Sequence, residues 1–213
     1  MPMLTAIVNS VKKHIKTHIA IYIITVLCLL IGISVGGFTV KIIDANHKQE
    51  LVSYLRGFFR LFHNDSIKSS DIFSQSLVNN FQLLVLCYIL GISIIGIIGI
   101  FFVIAFKGFV IGFTVGLLME QFKFKGFILF LLGVLPQNLI IISTFIIATA
   151  LSSSFALMFI KNRSDKTKQT NIYKEFLVYT AAYLIFSISI LMAVSIETVI
   201  SPIFIKMIGA YIQ

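Results

Sequence analysis

Residues 19–40 form a run of 22 residues without a formal charge, and this run limits what the chain can fold into. A helix that crosses a bilayer needs about 20 consecutive apolar residues. Further uncharged runs cover residues 83–106 and 127–160. The whole chain is 58% apolar and only 12% charged, which separates it from soluble domains. These features predict an all-α integral membrane protein, and the absence of repeats or low-complexity linkers predicts one polytopic domain over residues 1–213.

The charge is unbalanced, with 17 Lys and Arg against 8 Asp and Glu and a formal net charge of +9. The basic residues lie at the edges of the apolar runs, where they orient helices and contact anionic lipid headgroups. They form no basic stripe interleaved with exposed aromatic residues. We therefore expect membrane lipid, and no nucleic acid, as a binding partner.

Charge and length together predict about five spans with a cytoplasmic amino terminus. Lys12, Lys13 and Lys16 precede an uncleaved first helix, and the positive-inside rule places the basic segment 161–175 in the cytoplasm. The external parts are an amphipathic segment at 41–81, from which a short helix starting near residue 71 leads into the second span, and a tail at 197–213. The predicted spans are about 19–40, 83–106, 107–121, 126–150 and 176–196.

The third predicted span is the least regular. Only 12 residues, 108–119, separate Lys107 from Glu120, so this segment either crosses the membrane or re-enters it. A re-entrant segment would place the basic loop 161–175 outside, against the positive-inside rule. We therefore expect a crossing, with Lys107 snorkelling at its end.

Glycines recur at a spacing of four residues in two predicted spans. Such spacing puts them on one helix face, where small residues allow close helix contact in lipid. We expect packing within the molecule, and a dimer interface is the alternative, which leaves a homo-oligomer open. The helix-packing candidates are Gly32 and Gly36 in the first span and Gly108, Gly112 and Gly116 in the third.

The segment Leu135–Leu139 is the most polar point within any predicted span. Pro136 removes a backbone donor, and the carboxamides of Gln137 and Asn138 can supply hydrogen bonds that lipid cannot. One interpretation is a kink that its neighbours repair. The other is a broken helix at a transport or recognition site near the midplane of the membrane.

The external segment contains a pattern typical of an amphipathic helix. Ser53, Arg56, Gly57 and Arg60 lie on the polar stripe. The apolar face could rest on the bilayer surface or bind in the groove of a partner protein. Its candidate contact residues are Leu51, Tyr54, Leu55, Phe58, Phe59 and Phe62.

Motifs for catalysis and for cofactors are absent from the sequence. It contains no His-Glu-x-x-His, Gly-x-Ser-x-Gly or Walker signature. The histidines have no grouping suited to a metal, and Cys28 and Cys87 lie in apolar runs that imply no disulfide framework. We expect no enzyme, no catalytic or metal-binding residues and no cofactor.

Several segments along nearly the whole chain are similar to one family. They are residues 14–18, 32–36, 51–55 with Phe58 and Phe59, 90–96, 107–116 and 135–139. Together they resemble stage II sporulation protein M of endospore-forming bacteria. The match is closer to the sporulation branch than to its wider membrane relatives, which often have Pro-His-Gly where this chain has Pro136-Gln137-Asn138.

This resemblance implies a membrane scaffold. Such proteins are held to assemble with stage II sporulation proteins D and P, two cell-wall hydrolases, and to localise them at the sporulation septum. The complex thins septal peptidoglycan during engulfment. The amphipathic segment would then face these partners, and the alternative is a small transporter or channel component with a site at the broken fourth helix.

Overall fold

The computed structural model describes residues 15–63, 69–93, 95–164 and 172–209. Within these residues the long elements are all helical, as the sequence predicts. A tight turn at Lys123, with φ +53°, separates the fourth and fifth helices. The elements are α1 (Ile19–Ile42), α2 (Ala45–His63), α3 (Ser69–Ile92), α4 (Gly96–Phe122), α5 (Phe124–Leu129), a π-helical turn (Phe130–Val134), α6 (Leu135–Ser164) and α7 (Ile172–Gly209).

Five helical segments of the described chain are long and apolar enough to cross a membrane, so the protein is a multi-pass membrane protein. These segments are Ile19–Ile42, Ser70–Ile92, Gly96–Phe122, Phe124–Ile160 and Ile172–Val199. Large apolar side chains such as Leu30, Phe38 and Phe102 are exposed on their outer faces. In a bilayer these faces contact acyl chains, which are as apolar as the side chains themselves.

The helices alternate in direction. Hydrogen bonds from Ser76 to Glu197 and between Tyr88 and Thr180 make α3 and α7 antiparallel. In contrast, α1 runs parallel to α4, because glycine contacts advance in the same direction along both helices. The five spans therefore cross in alternating directions. Helices α1, α4 and α7 run in one direction, and α3 and α6 run in the other. The cytoplasmic location of the amino terminus stays a prediction.

The boundary between the second and third spans differs from the one expected. Helix α3 ends at Ile92 and α4 begins at Gly96, so the boundary does not lie at Lys107. The N–H of Gly96 donates to the carbonyl of Ser93 at 3.1 Å. The uncharged run 83–106 therefore contains the end of one helix and the beginning of the next. Residues 69–81, assigned above to the external segment, are the first half of α3. Lys107 lies in the middle of α4, and 107–121 is only the second half of a longer helix.

The last two spans are also longer than expected. The fourth extends from Phe124 to Ile160, against 126–150, and the fifth from Ile172 to Val199, against 176–196. Helix α7 continues to Gly209, so the first part of the tail expected at 197–213 is helical. Residues 1–14, residues 165–171 of the basic loop, and residues 210–213 lie outside the described residues.

The core is formed by α3, α4, α6 and α7. Phe145, Ile104 and Ile190 are fully buried there, and Tyr179 stacks on Phe155 with ring centroids 4.4 Å apart. Ser152 of α6 hydrogen-bonds the hydroxyls of Tyr179 and Tyr183 of α7. The buried hydroxyls of Ser152, Tyr179 and Tyr183 thus satisfy one another within this aromatic packing.

Candidate functional site

A polar cavity of about 700 Å³ lies among α3, α4, α6 and α7. Its walls combine two carboxylates, one ammonium group and several carboxamides. Helix α3 supplies most of the lining, and α4, α6 and α7 each contribute at least one side chain. The residues around it are Asp71, Ile72, Gln75, Ser76, Asn79, Asn80, Gln82, Leu83, Phe106, Lys107, Val110, Asn138, Ile141 and Glu197.

The sequence of α3 explains why the cavity is polar. Polar residues recur every three to four positions through the first half of this helix, so they share one face. Gln75, Asn79 and Gln82 are exposed, whereas Asn80 is only 5% exposed. Polar groups at membrane depth require protein partners or a water-filled cavity. The cavity gives the polar side chains in the first half of α3 such an environment.

Lys107 is the cation of the cavity. It lies 11 residues into a helix of 27, near the middle of the span. Its ammonium donates to Oδ1 of Asn80 at 2.6 Å and lies 5.6 Å from the ring centroid of Phe145. A charged side chain at this depth is costly and marks a functional-site hypothesis by default. The expectation that Lys107 snorkels at a span end is therefore wrong.

Glu197 of α7 is the more buried of the two carboxylates of the cavity. Its Oε2 accepts a hydrogen bond from the hydroxyl of Ser76. Asn80 lies one turn after Ser76 and donates from Nδ2 to the Ser76 carbonyl at 2.8 Å and hydroxyl at 3.3 Å. Lys107, Asn80, Ser76 and Glu197 thus form a continuous hydrogen-bonded series, which we call the polar chain. It joins α4, α3 and α7.

The two charges of the polar chain do not form a direct ion pair. Lys107 and Glu197 are not within ion-pair distance of each other, and Lys107 attracts Glu197 at longer range. Each charge is held on its own partner on α3, one turn apart. Opposite charges therefore line the same cavity without neutralising each other by contact.

The segment around Pro136 contributes one residue to the cavity. Asn138 lines it and donates to the Val134 carbonyl at 2.8 Å. Gln137 is buried, at 2% exposed, and donates to the Gly133 carbonyl at 3.0 Å. The two carboxamides thus satisfy carbonyls of the π turn that precedes the proline. The helix widens at this point but is not broken into two half-helices.

The glycine face of the third span packs against the first span. A Cβ added at Gly32, Gly36, Gly108 or Gly112 would overlap a backbone carbonyl oxygen of the other helix, so α1 and α4 approach to backbone contact. Gly116 lies against Gly37 and Val40. The structure therefore brings all five predicted glycines together in one interface within the molecule, and they do not line the cavity.

The amphipathic helix expected in the external segment is α2. Its first turn is attached to the end of α4, because the Lys48 ammonium lies 2.6 Å from Oε1 of Glu120. Tyr54 is 78% exposed, and Leu51 is half-buried. The side chains of the remaining candidate contacts, at positions 55, 58, 59 and 62, lie outside the described residues.

Sequence reasoning missed the residues of the polar chain. Lys107 was expected to snorkel at a span end, Glu197 to begin the external tail, and Ser76 and Asn80 to lie in an external segment. Two signals in the sequence point to them. Lys107 is the single formal charge between residues 83 and 119, and the polar residues of α3 keep helical spacing. Taken together, these signals predict that the polar face of α3 packs against the buried ammonium group of Lys107.

Comparison with known proteins gives one family. The model of stage II sporulation protein M matches residues 25–202. This range contains all five candidate spans except the first six residues of α1, and it includes the whole polar cavity. No curated protein and no solved structure matches the chain.

Proposed function

The chain belongs to the stage II sporulation protein M family, whose members are sporulation membrane proteins, and on this premise we propose that it is a membrane scaffold. In this proposal it assembles stage II sporulation proteins D and P, two peptidoglycan hydrolases. It localises them at the sporulation septum and in the engulfing mother-cell membrane. The protein itself performs no catalysis in this role.

The observation that supports this proposal is the position of α2. This helix is amphipathic, is 19 residues long and follows the end of α1. The Lys48–Glu120 ion pair attaches its first turn to the bundle, while Tyr54 farther along is exposed. An exposed aromatic side chain on an amphipathic helix is the kind of anchor that protein grooves bind.

The proposal is tested by replacing the aromatic residues of α2 in sporulating cells. Tyr54→Ser combined with Phe58→Ser and Phe59→Ser removes aromatic area that a partner would bury. We expect both hydrolases to be lost from co-purification and from the septum, while the protein itself stays in the membrane fraction.

The control variant is Arg56→Ser, which changes the polar stripe of the same helix and leaves the aromatic residues intact. It should keep hydrolase recruitment. Retained co-purification of the hydrolases with the triple aromatic variant would contradict the role of α2. Normal septal localisation of the hydrolases in cells lacking the whole protein would contradict the scaffold function itself.

A second candidate function, a small membrane transporter or channel component, is favoured by one observation. Asn138, next to Pro136 in the fourth span, lines the polar cavity. A transport path would make this position accessible to water. A cysteine at position 138, in a chain with Cys28 and Cys87 replaced by Ala, should then react with a charged thiol reagent, whereas a cysteine at the buried Phe145 should not.

A further inference from the structure

We propose that the polar cavity binds a small zwitterionic ligand, which carries an ammonium group at one end and an anionic oxygen group at the other. Free amino acids, short peptides and the ethanolamine phosphate headgroup of a lipid share this chemistry. The inference concerns binding alone, so it rests on neither function proposed above.

The size of the cavity is compatible with this class of ligand. Binding sites for small molecules measure about 300–1,000 Å³, and the polar cavity measures about 700 Å³. Such sites combine apolar walls with a few polar groups that fix orientation. Here Ile72, Leu83, Phe106, Val110 and Ile141 supply apolar walls between the charged and amide groups.

The anionic end of the ligand is assigned to Lys107. Its ammonium has three N–H donors, and among the described residues one of them is used, by Asn80. Because the donors that remain face a cavity at membrane depth, they need an acceptor there, either water or a ligand oxygen. A carboxylate or phosphate oxygen supplies the strongest such hydrogen bond, since both partners are charged.

The ammonium end is assigned to Glu197. One of its carboxylate oxygens accepts from Ser76, and the other has no hydrogen-bond donor among the described residues. Asp71 adds a second carboxylate on the same wall, nearer the beginning of α3. The carboxamides of Gln75, Asn79 and Asn138 can donate to or accept from the polar atoms between the two ends.

The balance of charges argues against a ligand with a single charge. One lysine and two carboxylates line the cavity, 1 − 2 = −1 in formal charge when all three are ionised. A simple anion would approach Lys107 but meet two carboxylates, and a simple cation would approach Glu197 but meet the ammonium of Lys107. A zwitterion places each of its charges beside the opposite one.

The test uses the full chain in phosphatidylcholine nanodiscs, with binding measured by calorimetry and by the shift of thermal unfolding. The zwitterionic probes are glycine, alanyl-alanine and phosphoethanolamine. The singly charged probes of similar size are acetate, dimethyl phosphate and ethylamine. We expect a zwitterionic probe to bind at least about tenfold more tightly than every singly charged probe, since one charge-assisted hydrogen bond accounts for a factor of this size.

Two variants connect binding to the cavity. Lys107→Met removes the anion contact, and Glu197→Gln weakens the ammonium contact while keeping an acceptor for Ser76. Each should weaken binding of the zwitterion about tenfold. The matched controls are Lys48→Met and Glu120→Gln, which remove the same residue types from the ion pair outside the cavity and should leave binding unchanged. If Lys107→Met does not fold, the binding measured with Glu197→Gln alone tests the proposal.

The probes also separate the two sources of the ligand. Preferential binding of glycine or alanyl-alanine identifies a free amino acid or peptide. Preferential binding of phosphoethanolamine, with a higher unfolding temperature in nanodiscs that contain phosphatidylethanolamine, identifies the lipid headgroup. The proposal is overturned if no zwitterion binds, if singly charged probes bind as well, or if the cavity variants bind like the controls.

Discussion

Lys48 and Glu120 form an ion pair across 72 positions of the chain, with 2.6 Å between the ammonium nitrogen and Oε1 of the carboxylate. The pair attaches the first turn of α2 to the end of α4. It also places the end of α1, the beginning of α2 and the end of α4 on the same side of the bundle. The amphipathic helix is thus fixed near its start.

We predict that Glu120→Gln loosens α2 without unfolding the bundle. The pair is partly exposed, so salt screens it and its contribution to global stability is small. Amide hydrogen exchange should accelerate in residues 45–63 and stay unchanged in α4. High salt should have the same effect on the unsubstituted protein, and equal exchange in α2 with and without the substitution would contradict the tether.

The second prediction concerns the contact between α1 and α4. Gly112→Ala should lower the free energy of unfolding by about 1–3 kcal/mol, because the added methyl group would overlap the Ile33 carbonyl oxygen. The control is Gly37→Ala, since a Cβ there would lie 3.7 Å from the nearest atom, the carbonyl oxygen of Gly112. Unfolding measured in mixed detergent micelles should separate the two variants, and equal stabilities would contradict the close approach.

The third prediction concerns the polar chain. Asn80→Leu removes the acceptor of Lys107 and should cost about 1–3 kcal/mol of stability, since the ammonium loses its protein partner at membrane depth. Asn79→Leu, at the exposed neighbouring position, is the control and should cost less. Replacing Lys107 by Leu as well should restore part of the loss. Full additivity of the two substitutions in a double-mutant cycle would mean that the side chains are not coupled.

The fourth prediction concerns the connection between α3 and α4. In a chain with Cys28 and Cys87 replaced by Ala, a cysteine at Ser93 should react with a membrane-impermeant maleimide only after the cells are permeabilised. A cysteine at Lys125, on the opposite side of the bundle, should react in intact cells. Both positions are exposed. The orientation follows from the positive-inside rule applied to residues 161–175, and the reverse labelling pattern would invert the topology.

The sequence predicts the helical class and the number of spans because long uncharged runs have few alternatives in a bilayer. It does not predict where the second span ends. The connection between α3 and α4 lies within the long uncharged run, where Ser93 is flanked by apolar residues, and charge does not mark it. Lys107, the nearest charge, was taken as the boundary, although it lies in the middle of α4, where Asn80 accepts its hydrogen bond.

The candidate site could be predicted only in part for the same reason. Asn138 was identified because proline and carboxamides stand out in an apolar helix. Ser76 and Asn80 were not, since the first half of α3 reads as a polar connection until its contact with Lys107 and Glu197 is known. Such contacts join residues that are far apart in the sequence, so local sequence patterns do not predict them.

The π turn at Phe130–Val134 also determines the phase of everything that follows it in the fourth span. A π turn holds one residue more than the corresponding α-helical turn, and each residue of an α-helix advances the side chains by about 100°. Deleting one residue in this turn would therefore rotate the whole of α6 relative to α5. Asn138 would point away from the cavity, and Ser152 would leave Tyr179. The number of residues in the π turn, more than their identity, therefore keeps Asn138 facing the cavity and Ser152 in contact with Tyr179.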